Sequence, residues 1–455
     1  MENQDILIAS VYFLLFFLSG VVIQLFKGKD TRYRYFLPAL SLKLIGGLSF
    51  ALIYKYYYGY GDTFAYYYNS LPLTEILLEN PRRGFEILFY FKNDVGSYVA
   101  GDFGGLNRII NGHDTFLVVK IVALVNLLSF SNFFGSTLIF SVLSFVGMWV
   151  GYLSICRIFR GHNIILSANI ALFFIPSIFF WGSGLMKDTL VIGFLGLILY
   201  SIRPFGDLKM PSFLKIIILL VSGYIVFIVK AYVIFCLVPA FAYWIFIKSK
   251  SKLKNFVLRN IIAPIFLVFL FVGVIFSVNF LGEFSQKFRI DKAFDTAKVY
   301  QNYHYTGESS EGRRSSYTLP NYGNDIANAV LNIPAAVNVT LFRPYPWEVS
   351  SPVVALAALE SLIVFVFFLR LLFKKGLVRI VRFCKQVPVL LYFLTFTLLF
   401  SYVIGFSSYN FGALVRYKIQ CMPFFIFTLL AIDQLLPNKS SIKKNVRNRR
   451  IRASA

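Results

Sequence analysis

Apolar runs of about 18–22 residues recur from one end of this chain to the other, each long enough to cross the hydrocarbon core of a bilayer. Uninterrupted runs of that length satisfy their backbone groups in lipid only as helices; barrel strands are shorter and alternate. Composition agrees: of 455 residues 58% are hydrophobic and only 15% charged, against about a quarter charged in soluble domains. The expected fold is an all-α polytopic integral membrane protein. Spans drawn at 6–26, 36–57, 136–156, 163–181, 189–203, 214–229, 232–247, 261–281, 352–373, 387–406 and 417–435 give about eleven transmembrane helices. They form a single transmembrane domain, 1–435, followed by a basic tail, 436–455. The first run, Ile6–Phe26, has no basic stretch before it and no small-residue cleavage site after it, so it reads as a retained span rather than a signal peptide.

The net charge of +24 carries the topology. Alternate connections collect the basic clusters: Lys27–Arg34, Arg157–Arg160, Arg203–Lys215, Lys248–Arg259, Arg370–Lys385 and the tail Lys439–Arg452. These hold roughly 27 basic residues against about 3 acidic ones, whereas the opposite side holds about 17 of each. The positive-inside rule then puts the N-terminus outside and the C-terminus in the cytoplasm, in a multi-pass cytoplasmic (inner) membrane protein. So basic a balance reads as topogenic, and no nucleic acid is expected as a partner. One run, Phe116–Phe134, would reverse every later connection if it crossed. It carries Lys120 in its middle, and is expected on the outer surface as an interfacial or re-entrant helix.

Two large outer loops result, about 58–135 and 282–351, and long ordered loops tend to carry function. The inner connections are short, and the absence of a P-loop argues against an ATP-driven pump. The four cysteines, Cys156, Cys236, Cys384 and Cys421, lie in or beside spans, and the three histidines are scattered. Neither set has disulfide or metal-ligand spacing. No cofactor is implied, although two carboxylates could share a divalent cation.

Those two carboxylates are Asp62, in Tyr60-Gly61-Asp62-Thr63, and Asp188, in Leu185-Met186-Lys187-Asp188-Thr189. Each sits at an outer span mouth, where a charge is costly without a partner or a task. Each also suits a turn or helix N-cap. Together on one face they read as a candidate catalytic pair. Cations share that side. Lys187 is either the ion-pair partner of its neighbour or a substrate contact. Lys230 interrupts Ile228-Val229-Lys230-Ala231-Tyr232 and is either a snorkelling lysine or a phosphate ligand. Arg343 lies in Leu341-Phe342-Arg343-Pro344-Tyr345-Pro346-Trp347-Glu348, a proline-stiffened turn that also suits an aromatic-belt anchor. Arg416, with Lys418, opens the last span. Glu360 is a lone acid within a span, with Lys43 among its possible partners. Carboxylates, fixed cations and aromatics such as Tyr66 and Trp347 suit a sugar carried on a lipid phosphate. Cations neutralise the departing phosphate, a carboxylate deprotonates the acceptor hydroxyl, and rings stack on the sugar.

The order and spacing of these features resemble the GT-C superfamily of membrane glycosyltransferases, near the protein mannosyltransferase and aminoarabinose transferase branch and its bacterial relatives. The matching stretch, about 45–205, comprises Gly61-Asp62-Thr63 with Tyr66, the surface run Phe116–Phe134, the turn Arg157-Ile158-Phe159-Arg160-Gly161, and Pro176 through Lys187-Asp188. Thr63 stands where that family usually has Glu, one extra span precedes Asp62, and Lys187 lies outside the pattern. The resemblance implies that Asp62 is the base and Asp188 a donor- or acceptor-positioning carboxylate. The implied donor is a polyprenyl-phosphate-linked sugar and the acceptor an envelope glycan or glycolipid on the outer face. Two other readings remain open. One is a polysaccharide polymerase or O-antigen ligase using a lipid-diphosphate oligosaccharide. The other is a lipid or solute transporter or flippase, for which Lys43 and Glu360 are the only evident midplane charges.

Overall fold

The structure is a computed structural model that describes residues 3–91, 95–103, 112–202, 211–250, 316–320, 331–349 and 351–438. These are helical nearly throughout; the only β-pairing among them is an isolated bridge between Ser316 and Asn410. Among the described residues six helices are long and apolar enough to cross a membrane: Asp5–Lys27, Thr31–Tyr58, Phe133–Ile158, Ser212–Lys248, Val354–Lys375 and Pro388–Ser407. A seventh is possible if the bent pair Phe411–Gln420 and Met422–Leu435 counts as one span. The expected span 261–281 and most of loop 282–351 lie outside the described residues, as does the tail beyond residue 438.

The chain divides into two compact units, Met1–Ile234 and Phe235–Ala455. The N-terminal unit begins with α1 (Asn3–Lys27) and α2 (Phe36–Ile53), joined through the turn around Asp30. Next come α3 (Asp62–Glu79), α4 (Pro81–Leu88), α5 (Val95–Val99), α6 (His113–Ser129) and α7 (Phe133–Ile158). Leu73, Leu77, Ile87, Val99, Phe116 and Val119 knit α3 to α6 into one apolar cluster. The expected surface run Phe116–Phe134 ends early. The chain stops being helical at Ser129, Phe130 and Ser131 adopt left-handed backbone, and Asn132 caps α7 by accepting from the Gly135 amide at 2.9 Å. Phe133 and Phe134 therefore open the next helix.

The sequence places one span at 163–181, and the structure breaks it. α8 (Ile165–Asn169) runs through a π-turn (Ile170–Phe174) to an extended Ile175, and α9 (Pro176–Trp181) restarts beyond it. Pro176 has no amide hydrogen and disfavours helical backbone at the residue before it, so the break belongs to the sequence. α10 (Lys187–Ser201) follows, packed on α7 through small residues. A Cβ on Gly147 would fall 2.1 Å from the Gly193 carbonyl oxygen, and one on Gly151 would fall 2.8 Å from Gly196 Cα. Only glycine permits that approach, and close backbone packing is what binds helices where lipid removes any hydrophobic drive. Because Ser144, Gly147 and Gly151 meet Gly193 and Gly196 in ascending order, α7 and α10 run parallel. At 1.5 Å per residue, Asp188 then sits roughly level with Ser141, about 12 Å along from the start of α7.

Side-chain contacts mark the two ends of this unit. At one end Lys55 pairs with Asp5 at 2.6 Å, and Asn132 donates to Asp5 at 2.8 Å. At the other, the Tyr152 hydroxyl donates to the Arg32 carbonyl at 2.8 Å, near Arg157. α11 (Ser212–Lys250) covers the expected spans 214–229 and 232–247 as one element with a single non-helical residue, Lys230. The boundary between the units falls within it.

The C-terminal unit contains α12 (Ile333–Phe342), α13 (Pro352–Lys375), α14 (Leu377–Gln386), α15 (Pro388–Ser407), α16 (Phe411–Tyr417) and α17 (Met422–Leu435). α12 lies against α15, where a Cβ on Gly405 would fall 2.1 Å from the Ala336 carbonyl and Thr340 Oγ1 donates to the Ser401 carbonyl at 2.7 Å. The last expected span, 417–435, is bent by 63° between α16 and α17.

Candidate functional site

Asp62 is the first residue of α3. Gly61 ahead of it has φ 128°, a conformation that L side chains rarely adopt, and a Cβ there would lie 2.9 Å from the Tyr54 ring. The turn thus hands the chain into α3 with Asp62 exposed in the first turn, where the helix dipole favours a negative charge. Tyr66 is one turn further along the same face and is buried. The Lys187 ammonium lies 5.7 Å from the centre of its ring.

Lys187 opens α10. It donates to Asp114 Oδ2 at 2.8 Å and to Thr115 Oγ1 at 2.9 Å, both in the first turn of α6. The next residue, Asp188, is 1% exposed and takes the Lys230 ammonium at 2.5 Å. Lys230 has φ −151° and ψ 76°, the one departure from helical backbone within α11. Four helices, α3, α6, α10 and α11, thus meet through charged and aromatic side chains in the N-terminal unit. The link from Asp62 to Asp188 runs one turn along α3 to Tyr66, across to the Lys187 ammonium 5.7 Å from its ring centre, and one residue along α10. The turn that carries Lys187 and Asp188 is braced from below by Lys43, which is fully buried on α2. It donates to the Gly182 carbonyl and, at 3.3 Å, to Ser144 Oγ.

Paired charges among buried helices have a direct electrostatic rationale. An isolated buried carboxylate or ammonium is prohibitively costly, whereas a close pair offsets most of its desolvation. Asp188 and Lys230 neutralise each other; Asp114, 31% exposed, does the same for Lys187 nearer the surface. An anion that reached these groups would compete with either carboxylate for its lysine. Among the described residues no group of three or more His, Cys, Asp or Glu side chains is placed to hold a metal ion.

The other predicted residues belong to the C-terminal unit. Arg343 engages Glu348 with two nitrogens, one at 3.0 Å through Nε, and its guanidinium lies 5.2 Å from the Phe411 ring and 5.7 Å from that of Tyr317. Glu348 also accepts from the Tyr345 amide at 2.8 Å. Trp347 stacks on Tyr345 at 4.9 Å and is 79% exposed. Arg416 donates to the Tyr417 hydroxyl at 3.1 Å. The buried base beside it is Lys418, which reaches Ser361 Oγ at 2.8 Å and the Arg343 carbonyl at 3.2 Å. Glu360 acts electrostatically on Lys418, one of the other basic partners that the sequence left open.

Sequence reasoning missed Asp114, Thr115 and the bracing role of Lys43. The first two had a signal: an acid and a hydroxyl just ahead of an apolar run is how a helix start reads. Lys43 had none, because its partners are a carbonyl and a serine brought in by the α7–α10 packing. No family model matches the chain, and neither a curated protein nor a solved structure matches it.

Proposed function

We propose that this protein is a membrane glycosyltransferase that moves a sugar from a polyprenyl-phosphate carrier to an envelope glycan or glycolipid at the outer face of the cytoplasmic membrane. The observation that carries the reading is the assembly in the N-terminal unit: an exposed Asp62 one turn from Tyr66, which packs on Lys187, whose neighbour Asp188 holds Lys230. Within this proposal the chain crosses the bilayer eleven times, N-terminus outside. Both halves of α11 and the short α8–α9 and α10 segments count as crossings. The segregation of basic clusters supports it, as does the separation of the Asp5–Lys55 end from the Arg32–Tyr152 end.

In the proposed reaction Asp62 takes the proton of the acceptor hydroxyl. The resulting oxygen forms a bond to the anomeric carbon, and the bond from that carbon to the phosphate oxygen breaks. The polyprenyl phosphate leaves with its electron pair, neutralised by Lys187 and Lys230, which exchange Asp114 and Asp188 for phosphate oxygens. Asp188 then acts by keeping Lys230 charged and poised. Tyr66 offers its face to the site and fixes the Lys187 ammonium.

The test is Asp62→Asn in cells that depend on this protein, read by analysis of carrier lipids. Loss of a general base lowers transfer by about 10²–10⁴-fold, so a polyprenyl-phosphate monosaccharide accumulates while the protein stays folded in the membrane. A carrier-lipid profile unchanged from the native protein removes Asp62 from the mechanism. Accumulation of a lipid-diphosphate oligosaccharide instead moves the assignment to a polymerase or ligase.

A further inference from the structure

The connection between α13 and α15 is a helix in its own right. α14 (Leu377–Gln386) is joined to α13 by Gly376 alone and to α15 by Val387 alone. Both neighbours are long and apolar enough to span a bilayer. A ten-residue helix tethered so tightly between two spans must lie at the bilayer surface where α13 ends and α15 begins. Its sequence, Leu-Val-Arg-Ile-Val-Arg-Phe-Cys-Lys-Gln, is strongly amphipathic, and Cys384 anchors its inner side. On the outer side apolar and basic residues share one exposed arc. Leu377 is 61% and Val378 70% exposed, and Arg382 and Lys385 stand beside them.

The charge of this segment is unbalanced. From Arg370 to Gln386 there are six basic residues and no Asp or Glu. Three are committed to the fold: Arg370 pairs with Asp433 at 3.2 Å, Lys375 donates to the Asp433 carbonyl at 2.8 Å, and Arg379 donates to the Pro437 carbonyl at 2.9 Å. The other three, Lys374, Arg382 and Lys385, are exposed and form no ion pair with an acid among the described residues. Exposed apolar side chains interleaved with uncommitted cations, at a bilayer surface, match a headgroup layer of negative charge over acyl chains. We propose that α14 binds anionic phospholipid, with Val378 and Leu377 among the acyl chains and Lys374, Arg382 and Lys385 holding the headgroup phosphate.

The experiment places a bimane label on Val378→Cys in the full chain, reconstituted in vesicles of mixed phosphatidylcholine and phosphatidylglycerol; the four native cysteines are buried. Nitroxide-labelled phosphatidylglycerol should quench the label more than nitroxide-labelled phosphatidylcholine at equal mole fraction, by a factor on the order of five, and less so at high salt. The combined Lys374→Gln, Arg382→Gln and Lys385→Gln variant should bring the ratio to about one, and Arg382→Lys should preserve it. Equal quenching by both lipids with the native charges overturns the proposal, as does a ratio that survives the triple neutralisation. So does a label that neither lipid quenches, because α14 would then lie in water. Inorganic phosphate added at constant ionic strength should leave the ratio unchanged; abolition by phosphate would assign the cations to a free anion instead.

Discussion

Arg343 finds its carboxylate five residues away, in the turn that the pair helps to close. Asp188 reaches 42 residues along the chain for Lys230, and Lys187 reaches 73 residues back to Asp114. Both regions bury charge among apolar helices, and both satisfy it. The near pair in the C-terminal unit fixes a local shape: Glu348 also accepts the Tyr345 amide, and the Arg343 carbonyl takes Lys418. The far pairs in the N-terminal unit fix nothing local. They join the starts of α10 and α6 and the break in α11. Far pairs are therefore the ones an entering anion can rearrange without unmaking a turn.

Breaking the far pair should have the largest effect on stability. Asp188→Ala or Lys230→Met leaves one buried charge unmatched, at a cost of about 3–5 kcal/mol, and should lower the thermal midpoint sharply in detergent. The double variant Asp188→Leu with Lys230→Met removes both charges and should recover most of that loss. If the Asp188–Lys230 pair served the fold alone, the double variant would also recover transfer; the proposed role in phosphate binding requires that it does not. A double variant that is stable and fully active defeats the distinction between near and far pairs.

Breaking the near pair should cost less and stay local. Glu348→Gln removes the charged partner of Arg343 and weakens the bond to the Tyr345 amide, a loss of about 1.5–3 kcal/mol for charge-assisted hydrogen bonds in a partly buried turn. Hydrogen exchange should quicken in 343–348 and around Lys418 and leave α10 untouched. Equal loss of protection in 187–201 would mean that the two regions are not energetically separate.

The sequence made the helical class and the main long spans legible, because apolar length is a local signal; the break ahead of Pro176 fell inside the expected span 163–181. The sequence pointed to Lys230 and Asp188 as costly charges, since a charge interrupting an apolar run is visible from either side. Their mutual pairing was not visible, because it depends on where α11 passes α10. The boundary drawn between the spans ending at 229 and starting at 232 coincides with the break at Lys230, although no glycine or proline marks it. The Asp114–Lys187 contact was hidden for a related reason: it follows from α6 packing on α3, which Leu73, Leu77, Phe116 and Val119 decide. Phe116–Phe134 was misread as one run because apolar content continues through Phe130, whereas the backbone reverses there and Asn132 begins a new cap.

The last expected effect concerns a third buried cation, and it tests whether the N-terminal unit tolerates charge where no acid answers it. Lys120 on α6 is 4% exposed; it donates to the Tyr90 carbonyl at 2.6 Å and lies 4.5 Å from the Phe91 ring centre and 4.9 Å from that of Phe116. Burial pulls its ammonium down from 10.5 to about 8. Between those values the unfolded chain holds a proton that the folded chain has lost, so folding gains stability as pH rises from about 8 towards 10.5. Below about 8 both states are protonated, and the cost of the buried charge is constant. Lys120→Met removes this contribution while leaving every other titrating group in place. The gap between the thermal midpoints of the variant and the native protein should therefore be level below pH 8 and shift in favour of the native protein above it. Midpoints that track in parallel from pH 7 to 10 would show that the carbonyl and the two rings hold the Lys120 charge as well as Asp188 holds that of Lys230, and the contrast between answered and unanswered charge would have to be dropped.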